Sequence, residues 1–324
     1  MNNLSLSLKK KNVQIFLFTL PFLINAQNPT GYIADWKNDA KAAYTIIHDD
    51  YGDAAVDGIW QYADTIAANR GVKFVMGAIA SSCELNRNIN GYSNAYGYAK
   101  NVMMAQHGHE MINHSHSHTC AVGNAGWPRT FDGEYLPCDD PATYWGENVN
   151  YPDFTTQLVT SHNSITSGSG HAPVYFIFPY DRFTYKANDK LKDMGYIGSR
   201  TGWTGPYSGN PTHYREGYEM SDLSTFYPDA DGFFRTSVQV FDGVDDDKDV
   251  AGQVAELNGE VDNAILSNMW CNRELHNVGN SGWGSVKVES YRQHLNYVKQ
   301  KMDAGDLWVG TVSEILTYQI QKLK

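Results

Sequence analysis

The stretch "AAYTIIHDD", residues 42–50, is an apolar run that ends in a histidine and two adjacent carboxylates. The run has strand length and composition, and it stops on charge rather than on a turn residue. Acids just past a buried strand fall where parallel α/β folds place their chemistry, at the C-terminal ends of the strands.

Working outward, the same alternation recurs. Strands are expected at "VKFVMGAIA" (72–80), "HEMINHSHSH" (109–118), "PVYFIFPY" (173–180), "YIGSR" (196–200), "FRTSVQVF" (234–241), "NMWCNRELHNV" (268–278) and "DLWVGTV" (306–312). Between them, helical spacing with glycine stops marks 55–71, 92–108, 154–168 and 183–195, and later 249–267, 286–305 and 313–324. Strand–helix alternation over the whole length predicts an α/β fold with parallel strands. Seven or eight repeats favour a barrel over an open sheet. Residues 119–150 and 201–232 are rich in Gly, Pro and aromatics and read as long loops. The acid run at 242–249 reads as a solvated turn and helix N-terminus, because it lacks the glycine and closing glutamate of a calcium loop.

The first residues read as an export signal. Lys9, Lys10 and Lys11 precede "VQIFLFTLPFLI" (13–24), and Ala26 offers a small residue for cleavage. Residues 1–26 are therefore expected to be removed, and 27–324 to form a single catalytic domain in a secreted or periplasmic protein. The 324-residue chain carries a net charge of −11, and losing those three lysines takes it to −14. An acidic surface argues against nucleic acid as partner, and no later segment is apolar enough to span a membrane. Cys83, Cys120, Cys138 and Cys271 allow two disulfides in an oxidising compartment, with Cys120–Cys138 the preferred pair and buried thiols the alternative.

Three polar clusters fall at strand ends: "HDD" (48–50), "HSHSH" (114–118) and "ELH" (274–276). His114 and His118 are four apart, a spacing that puts two imidazoles on one side of a helical turn. With one carboxylate from Asp49 or Asp50 they make a two-His, one-acid set that leaves positions open on a hydrolytic metal, zinc being the expected divalent ion. The second aspartate is then placed to take a proton from water, and His276 to protonate a leaving group. His116 points elsewhere, His107 and His109 read as capping or surface residues, and His294 as structural.

Here the chain resembles the polysaccharide deacetylases, carbohydrate esterase family four, whose domain is of the NodB-like kind. "TIIHDDYG", "GHEMINHSHSH", "FPY" and "RELH" follow that family's motifs in order and spacing, and the likeness covers most of 42–318. The resemblance implies a distorted (β/α)7-type barrel. It assigns Asp49 as base, Asp50, His114 and His118 as metal ligands, and His276 as general acid. Tyr180, after Pro179, would offer its backbone N–H to the oxyanion. The substrate implied is an acetylated poly- or oligosaccharide, with Pro179, Trp145, Trp203 and Arg182 lining its site. There are departures: Ile177 stands where the family has an arginine that steadies the catalytic aspartate, Asp181 replaces a glycine, and His48 replaces an aromatic. Arg182 is the candidate substitute for the arginine. The alternatives are a non-catalytic glycan-binding barrel and a metal hydrolase acting on another amide.

Overall fold

The computed structural model describes residues 36–53, 57–84, 97–119, 152–181, 185–200, 232–236, 238–241, 247–279 and 282–323. Strand β1 (Ala42–Tyr51) is buried along nearly its whole length, as a strand covered on both faces must be. Chain order continues through α1 (Asp64–Ala68, entered by the π-helical turn Ile59–Ala63), β2 (Val75–Ala78), α2 (Ala80–Cys83), α3 (Tyr98–Gln106) and β3 (Glu110–Asn113). Then come α4 (Pro152–Thr155) and α5 (Ser161–Ser169), joined by a second π-helical turn, β4 (Tyr175–Ile177), α6 (Tyr185–Asp193) and β5 (Gly198–Arg200). The last elements are β6 (Phe234–Thr236), β7 (Gln239–Val240), α7 (Val250–Ser267), β8 (Trp270–Leu275), α8 (Val288–Asp303), β9 (Leu307–Val309) and α9 (Val312–Lys322).

Every strand pairing among these residues is parallel. The order is β6-β5-β4-β3-β2-β1-β8-β7. β6 and β7 stand at opposite ends of that order, yet only two residues separate them in the chain. The sheet must therefore curl until its edges meet at one short segment, which gives a ring of seven positions. The run 234–241, read from sequence as one strand, is split: its first half ladders to β5 and its second to β8. The barrel is thus the distorted (β/α)7 kind. β9 pairs with Ala42–Tyr44 at the start of β1, and β2 pairs with its later half.

Alternation along β1 sorts its side chains. Ala42, Tyr44 and Ile46 pack outward with Leu257 and Val261 of α7 and Leu295 and Val298 of α8. Ala43 and Ile47 face inward with Val75, Ile112, Tyr175, Ile177, Phe234 and Trp270, where Val312, Ile315 and Leu316 of α9 join them. Thr45 lies on this inward face and is satisfied: its hydroxyl donates to the Gly310 carbonyl (2.9 Å) and accepts from the Trp270 indole (3.0 Å). The next inward residue in this series is Asp49, at the open end of the barrel. Side chains cap the N-termini of α7 and α9: Asp249 accepts from the Gly252 N–H, and Thr311 with Glu314 forms a capping box.

Cys83 and Cys271 are buried thiols. The Cys83 thiol donates to the Tyr51 carbonyl, so the expectation of two disulfides does not hold for this pair. Cys120 and Cys138 lie outside the described residues, as do the export segment and the calcium alternative at 242–246. None of the described helices is long and apolar enough to cross a membrane.

Candidate active site

Strict alternation would send Asp49 and Asp50 to opposite faces of the sheet. The backbone breaks it. Asp50 takes a left-handed φ of 60°, and the β1–β2 register shifts between His48 and Tyr51. Both carboxylates thereby reach His114, at 3.9 Å from Asp49 and 3.3 Å from Asp50. Gly77 on β2 keeps this space open, since a Cβ would lie 3.1 Å from the Asp49 carboxylate and from Ile177.

His114 and His118 meet, but not on a helical turn as the four-residue spacing suggests. Residues 114–119 form an irregular loop, bent by left-handed Ser115 (φ 68°) and His118 (φ 55°). Side chains supply the hydrogen bonds that a helix would have made. Asn113 accepts from the Ser115 N–H, the Ser115 hydroxyl from the His118 N–H, and Gln157 from the N–H groups of His116 and Ser117. The two imidazole rings pack edge to face at 4.7 Å.

Asp50 Oδ1 lies 3.3 Å from His114 Nε2 and 3.2 Å from His118 Nε2, and it is a buried oxygen without a hydrogen bond. His114 Nδ1 sits 3.0 Å from the Ile177 carbonyl. A carbonyl only accepts, so Nδ1 carries the proton and Nε2 turns its other side to the carboxylate. Two ligands held at about 2.0–2.1 Å in a tetrahedral zinc site are roughly 3.3 Å apart. Asp50, His114 and His118 therefore fit a divalent cation in donor type, spacing and orphaned oxygen.

The electrostatics ask for positive charge at the same point. Burial opposes charge on His114, yet Asp49 and Asp50 outweigh it and raise the imidazole's pKa. Burial likewise opposes ionisation of Asp50, but His118, His114 and His276 more than offset it and hold the carboxyl well below the usual range. Burial lowers His118 to about 4, toward the neutral form in which an imidazole binds a metal.

Asp49 is steadied by a residue that sequence reasoning did not single out. Arg200, the last residue of β5 and buried, donates Nη1 to Oδ1 (3.0 Å) and Nη2 to Oδ2 (2.5 Å) of Asp49. This fork–fork pair supplies the arginine that the third motif lacks at Ile177. Burial pushes the Asp49 carboxyl up, but Arg200 and His114 prevail and keep it low. The signal in sequence was an arginine ending an apolar strand, in "YIGSR". Arg200 Nη2 also lies 3.0 Å from Glu274 Oε2 on β8.

His276 follows β8 and points Nε2 at Asp50 Oδ2, 3.7 Å away. Burial lowers its pKa. Gly284 (φ 65°) leaves room for its ring, since a Cβ there would come within 2.6 Å of Nδ1. Trp283 meets that ring edge-on at 4.7 Å and is 42% exposed; it too went unremarked in the sequence. His48 is a core residue. Its Nδ1 donates to the His276 carbonyl (3.0 Å), its Nε2 lies 3.1 Å from the Tyr291 hydroxyl, and its ring meets Phe74 edge-on as an aromatic would.

The turn Pro179–Asp181 follows β4, with Pro179 buried and Tyr180 left-handed (φ 57°). The Tyr180 ring lies 4.7 Å from that of His118. The fold thus gathers Asp49, Asp50, His114, His118, His276, Pro179 and Tyr180 at one end of the barrel. Trp145, Trp203 and Arg182 lie outside the described residues. His116 is partly exposed beside Gln157, and His294 is buried between Tyr44 and Asn258.

In comparisons with known proteins, the polysaccharide deacetylase family model matches residues 59–198. That span includes His114, His118 and Tyr180 and stops short of Asp49 and His276. No curated protein sequence matches. Similar solved structures include the Xyl-CE4 domain of a multidomain xylanase from the hindgut metagenome of Trinervitermes trinervoides (12% identity, 86% of this chain and 91% of that one, TM-score 0.46). A family 4 acetyl xylan esterase from Clostridium thermocellum, solved with cobalt, gives 12% identity over 85% and 90% with a TM-score of 0.42. The Bc1960 peptidoglycan N-acetylglucosamine deacetylase gives 11% over 86% and 89% with 0.47.

Proposed function

We infer that the chain is a polysaccharide deacetylase, the family whose model matches residues 59–198, and that it is an exported, metal-dependent hydrolase removing N- or O-linked acetyl groups from a carbohydrate. The observation that carries the metal dependence is the meeting of Asp50, His114 and His118 around one orphaned oxygen. A divalent cation held by these three, zinc by its fit to two imidazoles and a carboxylate, supplies Lewis-acid chemistry toward an acetyl carbonyl and water.

The chain's own residues divide the remaining work. Asp49, fixed by Arg200 and kept ionised, takes the proton of the attacking water. The Tyr180 N–H, in the turn beside His118, donates to the oxyanion that develops on the acetyl carbon. His276 Nε2 gives a proton to the departing sugar nitrogen or oxygen, and acetate leaves. Exposed Trp283 beside His276 offers an aromatic face to a sugar ring. Residues 1–26 direct export, so Gln27 becomes the first residue of the released protein.

Support for catalysis over mere glycan binding comes from the Arg200–Asp49 pair, which answers the missing arginine that would otherwise favour a binding protein. The test is acetate release from chitooligosaccharides, peptidoglycan fragments and acetylated xylan by zinc-reconstituted protein. Release that a chelator abolishes, and that Asp49→Asn lowers by about 10²–10⁴-fold with the ion still bound, is expected. Binding of these glycans with no acetate set free overturns the reading in favour of a glycan-binding barrel.

A further inference from the structure

The loop that carries His114 and His118 forms no helix or strand, so its buried backbone groups need partners from elsewhere. One side is held by β2 and α2. The His114 N–H donates to the Ala78 carbonyl (2.9 Å), and the N–H groups of Ala80 and Ser81 donate to the carbonyls of Ser115 (3.1 Å) and His116 (2.9 Å). The other side is held by Gln157, which is 1% exposed. Its Oε1 accepts the N–H groups of both His116 and Ser117 (3.1 Å each), and its Nε2 donates to the Ser117 hydroxyl (2.8 Å). Two N–H groups on one oxygen set the orientation of this amide.

Gln157 stands in the π-helical turn Thr156–Thr160, a widened turn of the kind that recurs at functional sites. The turn is itself tied to the root of the loop. Ser161 Oγ donates to the Gln157 carbonyl (2.6 Å) and accepts from Asn113 Nδ2 (2.9 Å), while Asn113 Oδ1 accepts the Ser115 N–H (2.9 Å).

We propose that Gln157 is a positioning residue for the metal: through the backbone of His116 and Ser117 it fixes His118 beside His114 before an ion arrives, so that the cation meets a formed site. Ser115 and His118 hold left-handed φ angles of 68° and 55°, a conformation that persists only where the surroundings impose it. With the Gln157 bonds gone, this backbone relaxes toward ordinary angles and carries the His118 ring away from Asp50. The ion must then order the loop as it binds, and the loss falls on affinity.

This inference rests on the metal reading of Asp50, His114 and His118, and its test separates the two. Zinc affinity of the full-length protein is read by chelator competition, without substrate. Gln157→Leu is expected to weaken it about 10–100-fold. Gln157→Glu, whose carboxylate still accepts both N–H groups, should keep affinity near the native value. Gln253→Leu is the structural control: Gln253 is also buried and accepts a backbone N–H, that of Lys287 (2.9 Å). Its loss should lower Tm and leave zinc affinity unchanged. Native affinity in Gln157→Leu, equal losses in Gln157→Leu and Gln253→Leu, or no rescue by Gln157→Glu overturns the proposal. Amide exchange gives a readout that needs no variant. In metal-free native protein the His116 and Ser117 amides should exchange slowly, as buried strand amides do, and fast exchange there also overturns the proposal. A native chain that takes up no zinc overturns the metal reading, and this inference with it.

Discussion

Among the described residues, two groups of one aspartate and two histidines come together, and they differ in what each ring's far nitrogen does. Asp50, His114 and His118 lie at the C-terminal end of the sheet; Asp64, His107 and His109 lie at the other end, before β3. Both sets bring ligand atoms within 4.8 Å. At the first, His114 Nδ1 donates to a carbonyl and frees Nε2 for a ligand's role. At the second, His109 Nδ1 accepts the Phe74 N–H at 3.1 Å, so Nε2 must carry the proton in the neutral ring, and it faces Asp64 Oδ1 at 3.1 Å. A ring so engaged can bind a cation only by losing that proton as well. His109 is instead a core residue, stacked on Phe74 at 3.6 Å, and its pKa is lowered by burial despite Asp64. Proximity of ligand types is common to both ends; the direction of one hydrogen bond separates the candidate metal site from a structural cluster.

The largest effect expected is on occupancy. His114→Ala should empty the site of zinc and bring acetate release to background, while His109→Ala should leave zinc content unchanged and lower Tm. Elemental analysis of the two variants beside the native chain breaks the comparison if zinc follows His109.

Next in size is Arg200→Ala. It strips the partner from two buried carboxylates, and removing one side of a buried pair costs about 3–5 kcal/mol. Urea denaturation measures it, and activity should fall as Asp49 loses its orientation. A stability change below about 1 kcal/mol would mean that the pair is not formed as described.

A smaller effect is carried by pH. Burial holds His48 at about 4 and His294 at about 3, against an ordinary value near 6.5. In the folded protein these rings stay neutral. The unfolded chain takes up their protons below about 6.5, so stability is full above that pH and declines on acidification toward 4 and 3. Each ring adds a slope approaching about 1.4 kcal/mol per pH unit. Denaturation curves from pH 7 to 5 should show this loss, and His294→Gln should flatten it. A flat native profile would sink the prediction.

Least is expected of His107→Ala. Its ring pairs with Asp64 at 2.7 Å from a position 43% exposed, where such pairs contribute about 0–1 kcal/mol. Neither zinc content nor turnover should change.

Much was legible in advance because periodicity is local. The alternation of strand and helix favoured a barrel of seven or eight repeats, and acids and imidazoles at strand ends marked the open end. The helical turn expected at 114–118 was misjudged, since Asn113, Ser115 and Gln157 hydrogen-bond the loop in place of a helix, and Gln157 comes from a distant segment. Arg200 is not legible as the partner of Asp49 because it lies outside the third motif, at the end of β5. The barrel brings β5 across to Asp49 instead, from 151 residues away in sequence.

Sequence alone determined the strands, the helices and the kinds of donor that gather at one end, because side-chain alternation and residue chemistry are properties of neighbours in the chain. Tertiary structure alone decided which donors act together: the pairing of Arg200 with Asp49 and Glu274, the left-handed bend that turns Asp50 toward His114, and the opposite proton placement on His114 and His109. Each depends on a partner supplied by a remote strand or loop, and a hydrogen bond's direction exists only once both partners are in place.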